Sequence, residues 1–370
     1  LFQKPVTFSL KEQDFLGIMI VLILIFLGGV MVNSATEGTQ LQNYATRESI
    51  YIILAILVFC LTLYIPYTIW IEYGYIFYII FLFVLFLMPF MGKSVAGSKS
   101  WFSIGGWSFQ PSELMKAFTI LASASYIRDQ ELDSFTLRDF AILSGIVLLP
   151  MALIMAEPDF GTAVTFISIL FAILFFSDLK LKEILKWSTI GVCIALVLFG
   201  IAWFSFFKPY QKERILTFLD PQRDPKKSGY QINQAKIAVG SGKVFGKGLH
   251  SGTQNRLKFL PAPHTDFIVA VVGEELGFVG VASLCFLFLI LLSKFLTVAE
   301  TTTTREGSFV ALSVFFLFLF HTIVNIAMVL GLFPIMGIPI PFLSFGGTFL
   351  LTTSFLSGLV LNISSRHFLK

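Results

Sequence analysis

Cysteine, histidine and charge are all scarce in this 370-residue chain, and each shortage removes a class of explanation. The three cysteines, Cys60, Cys193 and Cys285, lie inside apolar runs, so neither a disulfide framework nor a thiolate metal site can be read from them. The four histidines, His250, His264, His321 and His367, are scattered without ligand spacing. Charged residues make up 13% of the chain against 56% hydrophobic, with a mean hydropathy of +0.84. That balance lies outside the range of soluble domains and identifies an integral membrane protein. A Walker loop and a dinucleotide fingerprint are also missing, as is any sign of nucleic-acid binding. No cleavable signal peptide is evident, so the first apolar helix is expected to stay as an anchor. There is no internal repeat, and residues 1–370 read as one polytopic membrane domain.

What is present is a series of apolar runs long enough to cross a bilayer. They predict about ten helices, near 14–32, 49–65, 69–91, 110–128, 140–156, 161–178, 188–207, 267–293, 308–332 and 345–363. The fold class expected is therefore an all-α membrane bundle with a long extracytoplasmic loop, 208–265, between helices 7 and 8. With both termini on one side, the short segments there carry eleven Lys and Arg, against only Arg47, Lys93 and Lys99 on the other. By the positive-inside rule the termini are cytoplasmic. The long loop is the exception, with eleven basic and three acidic residues, about +8 in a chain of total +4. Such a field would gather an anionic partner, either a substrate or lipid headgroups. Within the loop, Tyr230 to Val239 is predicted as a short amphipathic helix on the membrane. The following GSGKVFGKG places Lys243 and Lys247 among glycines that could offer backbone N–H groups to a phosphate.

Ionisable residues inside spanning helices cost roughly 2.5–3.5 kcal/mol each and normally face a cavity or a partner. Glu113 and Lys116, three apart, share one face of the fourth helix. Glu157 and Asp159 flank Pro158 between helices five and six, where a simple capped turn is the alternative. Asp266 stands where a basic, proline-broken loop enters helix eight. Desolvation there would raise its carboxyl into the range of a general base, although Thr265 or Asp266 could instead be the helix N-cap. Glu274 and Glu275, roughly 12 Å further along the helix, are expected to pack or hydrogen-bond, beside Gly273, Gly277 and Gly280. All these motifs, with the PIMGIPIPFLSFGG segment before helix ten, fall on the outer side, which points to one shared cavity.

The segments WFSIGGWSFQPSELMK, AEPDFGTA, YQINQAKIAVGSGKVFGKGLHSGTQ, FLPAPHTDFIVAVVGEELG and NIAMVLGLFPIMGIPIPFLSFGG resemble, in order and spacing, the SEDS family of bacterial cell-wall polymerases. GSGKVFGKG followed by HSGTQ is more similar to the elongation branch, RodA, than to the division branch, FtsW. The resemblance implies a glycosyltransferase that joins lipid II through β-1,4 linkages outside the cytoplasmic membrane and releases undecaprenyl pyrophosphate. It also implies Asp266 as the essential aspartate and Glu113, Lys116 and Asp159 as cavity positions. The further candidates for facing substrate are His264, Thr265, Lys243, Lys247, Arg256 and Ser344. A divalent cation, Mg or Mn, is implied by the family alone, with Asp159 as its candidate ligand. The implied partners are a class B penicillin-binding protein, whose transpeptidase would crosslink the strands, and other elongation-complex membrane proteins. Ala262 departs from the family pattern, which usually has Glu there. A carrier of lipid-linked precursor and a non-catalytic scaffold remain the alternatives; a carrier would place its site near the midplane.

Overall fold

Long apolar runs can satisfy their backbone only as helices in a bilayer, and a computed structural model of the chain is built of them. It describes residues 14–37, 42–95, 98–104, 107–130, 135–177, 228–257, 259–260 and 262–367, with isolated positions between 178 and 227. In chain order the helices are α1 (Phe15–Thr36), α2 (Gln42–Tyr64), α3 (Tyr67–Glu72), α4 (Gly74–Met91), α5 (Pro111–Asp129), α6 (Leu137–Ala156), α7 (Phe160–Thr165) and α8 (Ile167–Phe176). After a gap come α9 (Ser228–Ser241), α10 (Thr253–Arg256), α11 (Ile268–Glu275), α12 (Gly277–Thr301), α13 (Arg305–Val329) and α14 (Gly347–His367). Among the described residues seven helices are long and apolar enough to cross a membrane: α1, α2, α4, α6, α12, α13 and α14. The expected helix at 188–207 and residues 221–227 of the long loop lie outside the described residues.

Three helices form the centre. The apolar window of α14 is 89% buried and that of α13 61%, against 22% for α4, so α4 faces lipid while α14 is enclosed. α14 packs on α2, α5 and α13, and α5 also packs on α4 and α13. The polar residues follow this division. Ser112, Lys116, Thr119 and Ser123 are buried on α5, and Thr348, Thr352, Ser354 and Ser357 on α14. Small and hydroxyl side chains let central helices approach closely.

Besides breaks at Tyr73 and Phe166 in the expected third and sixth helices, two features depart from the expected helices. A three-stranded antiparallel sheet follows α4, made of β1 (Lys93–Val95), β2 (Ser98–Ile104) and β3 (Trp107–Phe109) in the order β1-β2-β3. The strands are too short and polar to register as apolar runs, but Gly105-Gly106 between two aromatic stretches is a hairpin signal in the sequence. The expected eighth helix is also broken, at Leu276, into α11 and α12. Gly277 takes φ 69°, which L side chains rarely adopt, and a Cβ there would collide with the backbone of Gly246.

The glycine-rich segment fills that break. Lys247 and Gly248 N–H donate to the carbonyls of Glu274 (3.0 Å) and Glu275 (2.9 Å), while Phe278 and Val279 N–H donate to those of Lys243 (2.9 Å) and Val244 (3.1 Å). These backbone groups serve helix packing, so the expected phosphate cradle is corrected: the loop is a plug between α11 and α12. The predicted amphipathic helix is present as α9 and packs on α11 and α13, burying Ile232, Ala235 and Ala238.

Candidate active site

The loops before α5, α7, α11 and α14, remote in sequence, converge on a cavity of ≈ 480 Å³. Glu113, Asp159, His264, Thr265 and Asp266 all line it, together with Arg47 from α2 and residues of the Pro334–Gly347 segment. The shared cavity read from one-sided polar motifs is therefore present.

Asp266 sits in a turn held by its backbone. Three consecutive carbonyls are each taken by a different donor: His264 O by Phe345 N–H (2.8 Å), Thr265 O by the Ser344 hydroxyl (2.8 Å), and Asp266 O by the Asn325 side-chain amide (3.1 Å). The same Asn325 amide donates to Ile338 O at 2.8 Å, and Ile340 N–H donates to Ser344 Oγ at 3.0 Å. Ser344 is thus buried behind the wall as a latch and does not line the cavity. α11 begins one residue later than expected, with Phe267 at the N-cap, so the capping role read for Thr265 or Asp266 is corrected. Gly337, with φ 71°, faces the carboxylate, and a Cβ there would stand 3.7 Å from Asp266 Oδ2.

Asp159 does two things. It is the N-cap of α7, with Oδ1 accepting Thr162 N–H at 3.2 Å, and its Oδ2 accepts the Gln110 side-chain amide at 2.8 Å. Gln110 in turn caps α5 and donates its own N–H to Thr348 Oγ1 (3.2 Å), which ties α5, α7 and α14 at the cavity floor. Glu157, two residues before Asp159, is buried, with neither carboxylate oxygen hydrogen-bonded among the described residues. Burial, and then the nearby Asp159, push its carboxyl up to about 8. Burial holds His264 below the usual histidine range.

Lys116 differs from expectation. Its Nζ lies 2.7 Å from Glu113 Oε2 and 3.4 Å from His321 Nε2, and the side chain is 1% exposed. His321 Nδ1 stands 2.8 Å from Pro339 O, which makes Nδ1 the donor and Nε2 the acceptor for Lys116. Glu113, Lys116 and His321 thus form a buried chain supporting the Pro334–Gly347 segment, and Lys116 does not line the cavity.

Lys243, Lys247 and Arg256 do not line it either. Lys247 Nζ pairs with Glu274 Oε1 at 2.6 Å and donates to Thr253 Oγ1 at 2.8 Å, while Lys243 and Arg256 are exposed elsewhere. Glu274 also accepts Gln254 N–H, and Glu275 accepts the Ser34 hydroxyl of α1, as a hydrogen-bonding role requires.

The residue that sequence reasoning missed is Arg47, counted there as loop charge. Tyr44, Arg47 and Tyr51 all line the cavity at i, i+3 and i+7, one face of α2. That pattern was the available signal, but the apolar run puts the helix start near 49, whereas α2 begins at Gln42. Among the described residues no group of three His, Cys, Asp or Glu side chains is placed to hold a metal. An ion bound here would rely on Asp159 and on substrate oxygens, an arrangement that suits Mg²⁺.

Residues 14–368 match a family model described as cell cycle protein and named for FtsW, RodA and SpoVE. Among curated relatives, a probable peptidoglycan glycosyltransferase FtsW of Trichlorobacter lovleyi is 35% identical, covering 99% of this chain and 96% of its own. The peptidoglycan glycosyltransferase MrdB of Escherichia coli K12 is 36% identical over 78% of this chain and 77% of its own. Stage V sporulation protein E of Bacillus subtilis is 33% identical over 95% and 97%. Among solved structures, a chain of a peptidoglycan synthase complex that coordinates polymerization and crosslinking superposes with a TM-score of 0.80 at 27% identity, covering 97% of this chain and 99% of that one. Thermus thermophilus RodA shares the fold, with a TM-score of 0.71 at 24% identity over 96% and 98%.

Proposed function

We propose that this chain, which belongs to the FtsW, RodA and SpoVE family of cell cycle proteins, polymerises lipid II into β-1,4-linked glycan on the outer face of the membrane. Peptidoglycan glycosyltransferase is the activity its relatives carry in their names. The observation that supports the finer reading is the pinned turn that presents Asp266 to a cavity shared with Asp159 and Glu113.

In this mechanism the acceptor sugar's 4-hydroxyl gives its proton to the Asp266 carboxylate as its oxygen attacks the donor's anomeric carbon. The bond from that carbon to the diphosphate oxygen breaks, and the electron pair leaves with undecaprenyl pyrophosphate. One inversion turns an α-linked donor into a β product. General-base assistance of this kind is worth roughly 10²–10⁴-fold. Asp159 would hold a divalent cation, which would supply charge neutralisation at the leaving group.

Elongation is the cellular role we assign, from the likeness of the Gly240–Gln254 segment to the RodA branch. A class B penicillin-binding protein is the partner we assign, supported by the synthase complex whose chain this one resembles. We place both termini in the cytoplasm from the Lys and Arg distribution. Purified protein given labelled lipid II and Mg²⁺ should form glycan ladders that vanish in Asp266→Asn. Equilibration of lipid II across vesicles with no ladder would instead identify a carrier. Depletion in cells should give rounding; filaments would assign division.

A further inference from the structure

Breaking the anomeric bond puts new negative charge on the diphosphate, and a polymerase of this design needs a cation where that charge appears. Lys116 is committed to Glu113 and His321, and Lys247 to Glu274. Among the described residues that line the cavity, the only Lys or Arg is Arg47. Its neighbours on α2 fix where it stands. Tyr44 packs against His264 (ring centroids 5.1 Å) and Phe345 (4.9 Å), and Tyr51 packs against the Gly347 backbone so closely that a Cβ would collide with its ring. Arg47, between these two contacts on the same helical face, lines the same cavity as His264 and as Gly346 and Gly347 at the start of α14.

Both neighbours suit an anion. Gly346 and Gly347 line the cavity where the 21-residue α14 begins. The first intrahelical bond there is Leu350 N–H to Gly346 O (2.8 Å), so earlier N–H groups have no acceptor within the helix, and the positive end of the helix dipole faces the cavity. His264 lines the same wall at 9% exposure, with Nδ1 lacking a hydrogen-bond partner among the described residues.

We propose that Arg47, His264 and the first turn of α14 form the subsite that binds the donor's diphosphate. The proposal rests on the polymerase function above and places the leaving group at the α2 and α14 side of the cavity. The sugar would then reach from there toward Asp266, and the polyprenyl tail would leave past the exposed face of α2.

The test uses full-length protein in detergent, with undecaprenyl pyrophosphate and undecaprenyl monophosphate as probes in direct binding and as inhibitors of lipid II polymerisation. Wild-type protein should bind the diphosphate more tightly than the monophosphate. Arg47→Ala should weaken diphosphate binding about tenfold or more, the scale of one charge-assisted contact, with Arg47→Lys recovering part of it. Asp266→Asn should abolish polymerisation and keep diphosphate affinity. If Arg47→Ala destabilises the protein, Arg47→Gln replaces it. Unchanged diphosphate affinity in a stable Arg47 variant overturns the subsite. Arg47-dependent binding in a protein that makes no glycan upholds the subsite and rejects the polymerase.

Discussion

Asn325 is a single amide whose NH₂ group holds two carbonyls, those of Asp266 and Ile338, one turn along α13 from the buried His321. Replacing it with Leu keeps the branched shape and leaves both carbonyls unsatisfied, at about 1–3 kcal/mol for such a buried group. Asn325→Leu should therefore lower the thermal midpoint and cut polymerisation about tenfold, read from ladder formation at matched folded protein. Glu157 offers a pH test. Its carboxyl lies near 8 when folded and near 4.5 when exposed, so the folded state holds the proton more tightly. Its contribution to stability is full below about 4.5 and is lost as pH rises toward 8. The melting temperature should fall across that window, and Glu157→Gln should remove a pH dependence worth on the order of a few kcal/mol in total; an unchanged pH dependence would refute the assignment. At this scale the sequence disclosed the charges out of place, because an ionisable group in a spanning helix is conspicuous. It did not disclose Asn325 or Ser344, whose importance lies in which carbonyl they meet across the bundle.

Among the elements, the join between α2 and α3 shows how the bundle tolerates a break. Asn362 of α14 donates to the carbonyls of Thr62 (3.2 Å), Leu63 (2.7 Å) and Ile65 (3.1 Å) and accepts Tyr67 N–H at 3.0 Å. One side chain thus supplies what the interrupted helix cannot. Asn362→Leu should lower thermal stability by about 1–3 kcal/mol, and retention of the wild-type midpoint would show that water does this work instead. Apolar run length made the spanning helices legible. Breaks at Leu276 and Tyr73 were not, since the Glu and Gly residues there sit inside runs apolar enough to be read as single helices, and at Leu276 backbone bonds pass to the Lys243–Gly248 segment. The β1–β3 sheet escaped for the opposite reason: strands of three to seven residues carry no run at all.

For the whole molecule, four loops meeting at one end of the helices were foreseeable, because topology alone places alternate loops on one face. Which cations reach the cavity was not, since the loop's positive charge is partly spent on Glu274 and only the folded chain brings Arg47 in. With one carboxylate expected to hold the ion beside substrate phosphate, chelation by EDTA should stop polymerisation, and Mg²⁺ or Mn²⁺ should restore it without altering the melting temperature. A large drop in stability on chelation would point to a structural metal instead.

The grip on three successive carbonyls has a mechanical corollary. With His264, Thr265 and Asp266 fastened to α13 and to the segment preceding α14, that wall behaves as an anvil. Two bulky lipid-borne sugars must therefore be admitted without that wall giving way, so breathing of the enzyme during each cycle should concentrate in the cavity-lining elements outside it.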